Sequence, residues 1–246
     1  MNINPRNILL AAMLTALAGT AAGHDGGLHS EPGQAVAPEF DIVHTKISTE
    51  GNLAIFHMAV SGRAGESKPA PSGQLAGSQV FSYVWPTTID AYAVGFDAQA
   101  GILAFAVTSH PDFDDTPLFD ENGDGHLDND GDLWHSHWVV LQPDDVCGEG
   151  ALKVVDIPEG ARPRLPKTWP GLPILIDSPG WSPVITADTV EVRVPFDDIG
   201  VVEAGGFDGV TAALQVNASV HNPLLCVVDV FKVASGDLSL PGKVNQ

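Results

Sequence analysis

The sequence predicts an all-β domain: an antiparallel β-sandwich, immunoglobulin-like or jelly-roll in type, with long Pro/Gly-rich and acidic loops. Three observations predict it. Short runs rich in β-branched and aromatic residues recur along the chain. Turn signals separate them, helped by 26 Gly and 19 Pro. No long amphipathic helical pattern and no internal repeat interrupts them. Hydrophobic residues make up 44% of the 246, enough for a real core, so the acidity of the chain does not imply disorder.

The first element is a targeting segment. "MNINPRNILLAAMLTALAGTAAG", residues 1–23, carries one basic residue, Arg6, then an apolar run and small residues. The run is too short to span a bilayer. Cleavage after Gly23 satisfies the small-x-small rule with Ala21 and Gly23; cleavage one or two residues earlier stays open. The expected product is exported, periplasmic or secreted, and not inserted in a membrane. Residues 24–38, "HDGGLHSEPGQAVAP", read as a flexible N-terminal arm, and 39–246 as a single domain. Within it, "FDIVHTKIS" and "NLAIFHMAVSG" flank "TEGN" as a hairpin, and "TIDAYAVGF" and "GILAFAVTSH" flank "DAQA" as another. "LWHSHWVVL", "LKVVDI", "TVEVRVPF", "VTAALQVNASV" and "LLCVVDVFKV" follow as further strands. Many short strands of this kind suit a sandwich or barrel.

Charge limits the partners. Eleven Lys+Arg stand against 31 Asp+Glu, a formal net charge of −20. Such a surface lacks the cations that bind nucleic-acid phosphates, repels anionic membranes and attracts metal ions. Cys147 and Cys226, 79 residues apart, are the only cysteines. In an oxidising compartment an even pair predicts a disulfide. The rival use, a copper thiolate, wants His and Met shortly after the cysteine, and "CVVDVFKVASGDLSL" has neither.

The acids concentrate in one loop. In "DENGDGHLDNDGD", Asp120, Asn122 and Asp124 take positions 1, 3 and 5 of the EF-hand spacing. Gly125 takes the sharp turn, His126 offers a carbonyl and Asp128 falls at position 9. Position 12 is Gly131 rather than a bidentate Glu, with Asp130 and Asp132 beside it to substitute. The stretch resembles EF-hand loops. The alternate spacing of Asp128, Asp130 and Asp132 is similar to the calcium loops of thrombospondin type 3 repeats. That resemblance implies a structural calcium ion. No Lys or Arg occurs between Lys68 and Lys153, and carboxylates a few ångströms apart repel by roughly 1 kcal/mol per pair even in high dielectric. A solvated acidic loop without an ion is the plainer reading.

The histidines follow at once. As a strand, "LWHSHWVVL" sets His135 and His137 on one face with Val139 and Leu141, and Trp134, Ser136 and Trp138 on the other. Two imidazoles two apart on a strand can reach one Zn²⁺ or Cu²⁺. Neutral rings are required, so affinity should fall below about pH 6.5. A third ligand must come from elsewhere. His110, ending "FAVTSH" just before the acidic loop, is the first candidate; His57 and His221 are others. His24 and His29 lie in the arm, where cleavage leaving Ala22 or His24 first would create an amino-terminal copper motif or a histidine brace. "HSHW" is similar to the His-x-His-Trp of α-carbonic anhydrases, but Gly160 stands where the third ligand should follow, so that activity is not carried over. Trp134 and Trp138 read as core. Trp85, Trp169 and Trp181 lie near Pro-rich loops, as loop packing or a sugar-stacking face.

One further resemblance concerns the fold. The strand "TVEVRVPFDDIG" resembles the closing strand of DOMON domains and family-9 carbohydrate-binding modules, and the opening hairpin and late strands agree in style. It implies a β-sandwich; those families bind haem or sugars. Three function classes result: a calcium-stabilised exported protein that also binds copper or zinc, a metal-dependent hydrolase or hydratase using the same histidines, and a carbohydrate-binding or adhesion module. Partners would be metal ions, with carbohydrate or another periplasmic protein as further options. No catalytic general base stands out among the many Asp residues.

Overall fold

The computed structural model describes residues 26–219 and 223–246. The segment expected to be a targeting signal, His24 and His221 lie outside them. Fourteen strands are described: β1 Leu28–His29, β2 Ile42–Glu50, β3 Leu53–Val60, β4 Gln79–Pro86, β5 Ile102–Ser109, β6 His135–Pro143, β7 Leu152–Val154, β8 Ile176–Asp177, β9 Val184–Thr186, β10 Thr189–Pro195, β11 Gly206–Phe207, β12 Val210–Val216, β13 Leu225–Val233 and β14 Gly242–Lys243. One α-helix of five residues, α1 Ile199–Glu203, joins them. No helix among the described residues is long and apolar enough to cross a membrane.

The chain is all-β and antiparallel as expected, but its second layer is not an open sheet. Strands run β5-β4-β12-β13-β7-β6, and β6 pairs back onto β5, closing a six-stranded barrel. A five-stranded sheet, β1-β2-β3-β10-β9, covers one side of it. The expected two-sheet sandwich is therefore corrected to a barrel with a sheet packed against it. The physical reason is the β5–β6 pairing, which leaves neither strand a free edge toward the other. The first expected hairpin forms as β2–β3. The second does not. Asp90 accepts a hydrogen bond from the Tyr92 amide, and Ala91–Val94 curls into a 3₁₀ turn. The partner of β5 is instead "QVFSYVWP", β4. The N-terminal segment is tied down from Gly26 onward: β1 pairs with β2, and the Gly33 amide donates to Asp41.

Alternation along the barrel strands builds two cores. Outward residues Trp85, Phe105 and Trp138 meet Phe56, Met58 and Val192 of the sheet. Phe105 lies 4.6 Å from Phe56 and 4.8 Å from Trp138, ring centre to ring centre. Fully burying one such side chain is worth about 1.5–3 kcal/mol. Inward residues include Val80, Val84, Ala106, Val139, Leu141 and Leu214. Several inward positions are small, among them Ser82, Ala106 and Ala212, and the barrel keeps an apolar chamber of about 420 Å³.

The weakest joint of the barrel is between β7 and β13, which pair only at Cys226 and Lys153. Cys147–Cys226 form a disulfide there, with Cα atoms 5.4 Å apart. Lys153 adds an ion pair at 2.9 Å to each of Asp144 and Asp156. On the opposite flank, buried Asp41 accepts from Gly33 and Ser61 and pairs with Lys232 at 3.2 Å. Burial pushes its pKa up, yet these donors outweigh burial and hold the carboxyl below 3.8.

Two outcomes follow. The Cys147→Ala/Cys226→Ala variant should lose about 4 kcal/mol in denaturant unfolding, because the closed loop spans 79 residues; an unchanged midpoint would show that the seam holds without it. Asp41 stabilises the fold above its unfolded value, near pH 4, and this contribution disappears as pH falls through its lower folded value. Asp41→Asn should therefore flatten the acid limb of stability against pH, read from melting temperatures between pH 2 and 5.

Candidate metal centre

The β5–β6 register sets Thr108 opposite His135 and Ala106 opposite His137. The residue after β5 is His110, and its amide donates to the Gly131 carbonyl at the other end of the acidic loop. The loop is thus a long hairpin connection, and His110, His135 and His137 come together as expected. A Cβ on Gly131 would collide with the Phe113 carbonyl, so the close return of the loop requires glycine.

A fourth member was not expected. Asp115 turns its carboxylate inward, and its Oδ1 lies 3.1 Å from His110 Nε2, 3.1 Å from His135 Nε2 and 3.3 Å from His137 Nε2. All four residues are buried. The other ring nitrogens fix the tautomers. His110 Nδ1–H donates to the Phe113 carbonyl at 3.0 Å and His135 Nδ1–H to the Leu133 carbonyl at 2.8 Å, since a carbonyl can only accept. His137 Nδ1 meets Ser178 Oγ at 3.1 Å, while that hydroxyl donates to the Asp115 carbonyl at 2.6 Å. Ser178 therefore accepts from His137.

In the neutral rings every Nε2 then carries a lone pair, and all three converge on a carboxylate oxygen. His110 Nε2 and His135 Nε2 are 3.0 Å apart, and His137 Nε2 has no hydrogen-bond partner among the described residues. Lone pairs facing each other on buried side chains are stabilised by a proton or a cation between them. Ligand atoms around a tetrahedral Zn²⁺ at about 2.05 Å lie roughly 3.3 Å apart, and the spacing here is close to that. The Nδ1 contacts have the form that orients metal-binding imidazoles. Protonation of the site is coupled. Burial pushes Asp115 up, but attraction to His137 and His110 and hydrogen bonds with His110 and His135 hold it well below 3.8. Burial also lowers His135, where the Asp115 hydrogen bond prevails and raises it, and lowers His137, where burial prevails.

A second cluster lies in the same loop. Carboxylate oxygens of Asp114, Glu121 and Asp130 are within 4.8 Å of one another. Among the expected calcium ligands, only Asp130 belongs to it. Asp120 instead accepts from the amides of Gly123, Asp124 and Gly125, and Asp124 from His126 and Asn129. Asn122 Oδ1 accepts from the Asp124 amide, and Asp132 pairs with Lys68 at 3.3 Å. Asp120, Asp124, Asp128 and Asp132 form no group of three metal-binding side chains among the described residues.

The remaining candidates lie elsewhere. His57 is on β3, 3.8 Å from Glu191, and His29 packs against His44 with the rings tilted and 4.7 Å apart. Trp85 and Trp138 are core residues; Trp134 donates to the Gly65 carbonyl and Trp169 to Leu172. Asp115, Ser178, Asp114 and Glu121 carried no periodic signal in the sequence.

No protein-family model, no curated protein and no solved structure matches the chain. The centre is defined by its own geometry: a buried three-histidine, one-carboxylate set able to hold a metal ion.

Ser178→Ala removes the acceptor that orients His137. It should weaken transition-metal binding about 10–100-fold and lower the metal-free melting temperature by a few degrees, because the His137 Nδ1–H and the Asp115 carbonyl both lose a buried partner. Equal affinity in competitive titrations would show that His137 is positioned without it.

Proposed function

We propose an exported protein that keeps one divalent transition ion, copper or zinc, on His110, His135, His137 and Asp115, at the end of an apolar chamber. One observation carries the reading: three imidazole Nε2 atoms and a carboxylate oxygen converge within hydrogen-bonding distance with no donor among them. Burial of all four ligands favours a resident ion over one handed on to a partner.

His110, Asp115 and His137 line the wall of the barrel chamber, whose rim carries exposed Val228 and Val230. A small apolar molecule entering there would meet the ion. The apolar wall supports this class over carbohydrate, which needs several polar groups to replace water. The hydrolase reading is less supported. Asp115 is a ligand, and the chamber's other acids, Glu149 and Asp229, are exposed at its rim, so no second buried carboxylate stands ready as general base.

Metal-free protein, calcium-saturated so that acidic groups are filled, should take up one Cu²⁺ or Zn²⁺ per chain in competitive titration. Cu²⁺ spectra should carry the hyperfine pattern of several imidazole nitrogens. His135→Ala/His137→Ala and Asp115→Asn should each lose at least a hundredfold in affinity, while His126→Ala, in the exposed loop, should lose none. A double variant that binds as tightly as wild type, and folds, moves the site elsewhere.

A further inference from the structure

The acidic loop holds a second arrangement that the histidine centre does not explain. Each of its three carboxylates has buried oxygen left without a donor. Asp130 is 1% exposed. Its Oδ2 accepts from the amides of Glu121 at 2.6 Å and Asn122 at 3.2 Å, while its Oδ1 is buried and has no hydrogen-bond partner. Asp114 Oδ1 accepts from the amide and hydroxyl of Thr116, and its Oδ2 is buried without a partner. Both carboxylate oxygens of Glu121 are also buried without one. Asp41 makes the contrast: there a buried carboxylate meets an amide, a hydroxyl and a lysine. Around Asp130 the amides fix the side chain from one side, and the other side faces two more carboxylates. Burying acceptors in this way is costly unless a cation joins them.

We infer that Asp114, Glu121 and Asp130 form a calcium site, separate from the histidine centre. The donors are all oxygen and all anionic, the set preferred by hard cations. Calcium is favoured over magnesium because it accepts an irregular, flexible set of six to eight oxygens. Loop carbonyls and water can complete such a set, whereas magnesium demands a near-ideal octahedron. The residues differ from those of the EF-hand spacing: Asp120 and Asp124 bind backbone amides and shape the turn, and only Asp130 is shared.

The test is thermal melting and calorimetry of the mature chain, stripped with chelator and then given Ca²⁺ or Mg²⁺. Calcium at a hundredfold excess over Kd should raise the melting temperature by roughly 5 °C, and magnesium by less. Glu121→Gln should reverse the usual sign of a buried substitution. In chelator it should melt at or above wild type, because like charge is relieved, and added calcium should not move it. Asp130→Asn should also lose the calcium shift. Asp124→Asn, in the turn, and His135→Ala, in the other centre, should keep it. If Glu121→Gln cannot be purified folded, Asp114→Asn should weaken calorimetric calcium binding at least tenfold. The inference is overturned if wild type shows no calcium shift, if magnesium matches calcium, or if Glu121→Gln keeps the shift while Asp124→Asn loses it. That last result would return the ion to the EF-hand spacing. None of these outcomes depends on transition-metal binding.

Discussion

The constraint on which the rest depends is the meeting of four lone-pair atoms on buried side chains. His110, His135 and His137 each turn the Nδ1 edge to a fixed oxygen and the Nε2 edge inward, where Asp115 adds a carboxylate oxygen. A proton or a cation at the centre reconciles them, beside the Thr108 hydroxyl, which lies 3.2 Å from His135 Nε2. Two contacts that orient the rings are backbone carbonyls, and these stay in place only while the loop returns on itself at Gly131. The loop, the strand register and the tautomers are therefore one structural problem.

Strand β6 serves both sides of that problem. Its outward residues Trp138 and Val140 lock into the core shared with the covering sheet, while its inward residues pass from His135 and His137 to Val139 and Leu141. A one-residue slip would exchange these sets, turning the two imidazoles toward the aromatic core and placing Ser136 and a tryptophan against Asp115. The aromatic packing thus fixes the register that the centre needs. The same alternation, with small residues inside, leaves the chamber into which the centre faces.

Much of this was legible in the sequence, for identifiable reasons. The period of two puts His135 and His137 on one face whatever the fold. His110 was reachable because a strand ending before a loop and a strand beginning after it form a hairpin. The disulfide needed only an even count in an oxidising compartment. Asp115 was hidden because it lies in irregular backbone, where no period says which way a side chain points, among nine acids between residues 112 and 132. Ser178 arrives from a distant loop, and only the pairing of β8 with β6 brings it close. The EF-hand spacing marked a real turn, yet its carboxylates close that turn on themselves. Closure of the barrel could not be read, since it depends on which edges of β5 and β6 meet; the choice between sandwich and barrel lies in pairing rather than in strand count.

The two clusters are joined through the chain itself. Asp114 and Asp115 are consecutive in a stretch without helix or strand, yet one contributes to the three-carboxylate group and the other to the histidines. A single peptide unit therefore serves both groups. Asp130 repeats the arrangement: its carboxylate faces the acidic group while its carbonyl accepts the Leu133 amide, and the Leu133 carbonyl in turn holds His135 Nδ1. Charge at the acidic group that is left unbalanced pushes Asp114 away from Asp130, and with it the peptide that carries Asp115. A cation there draws the two aspartates together and seats both the carboxylate and His135 at the histidine centre. The order of the acidic loop thereby becomes a condition for the geometry of the second site, through the Asp114–Asp115 peptide, the Leu133 amide bonded to the Asp130 carbonyl and the His135 Nδ1–H bonded to the Leu133 carbonyl.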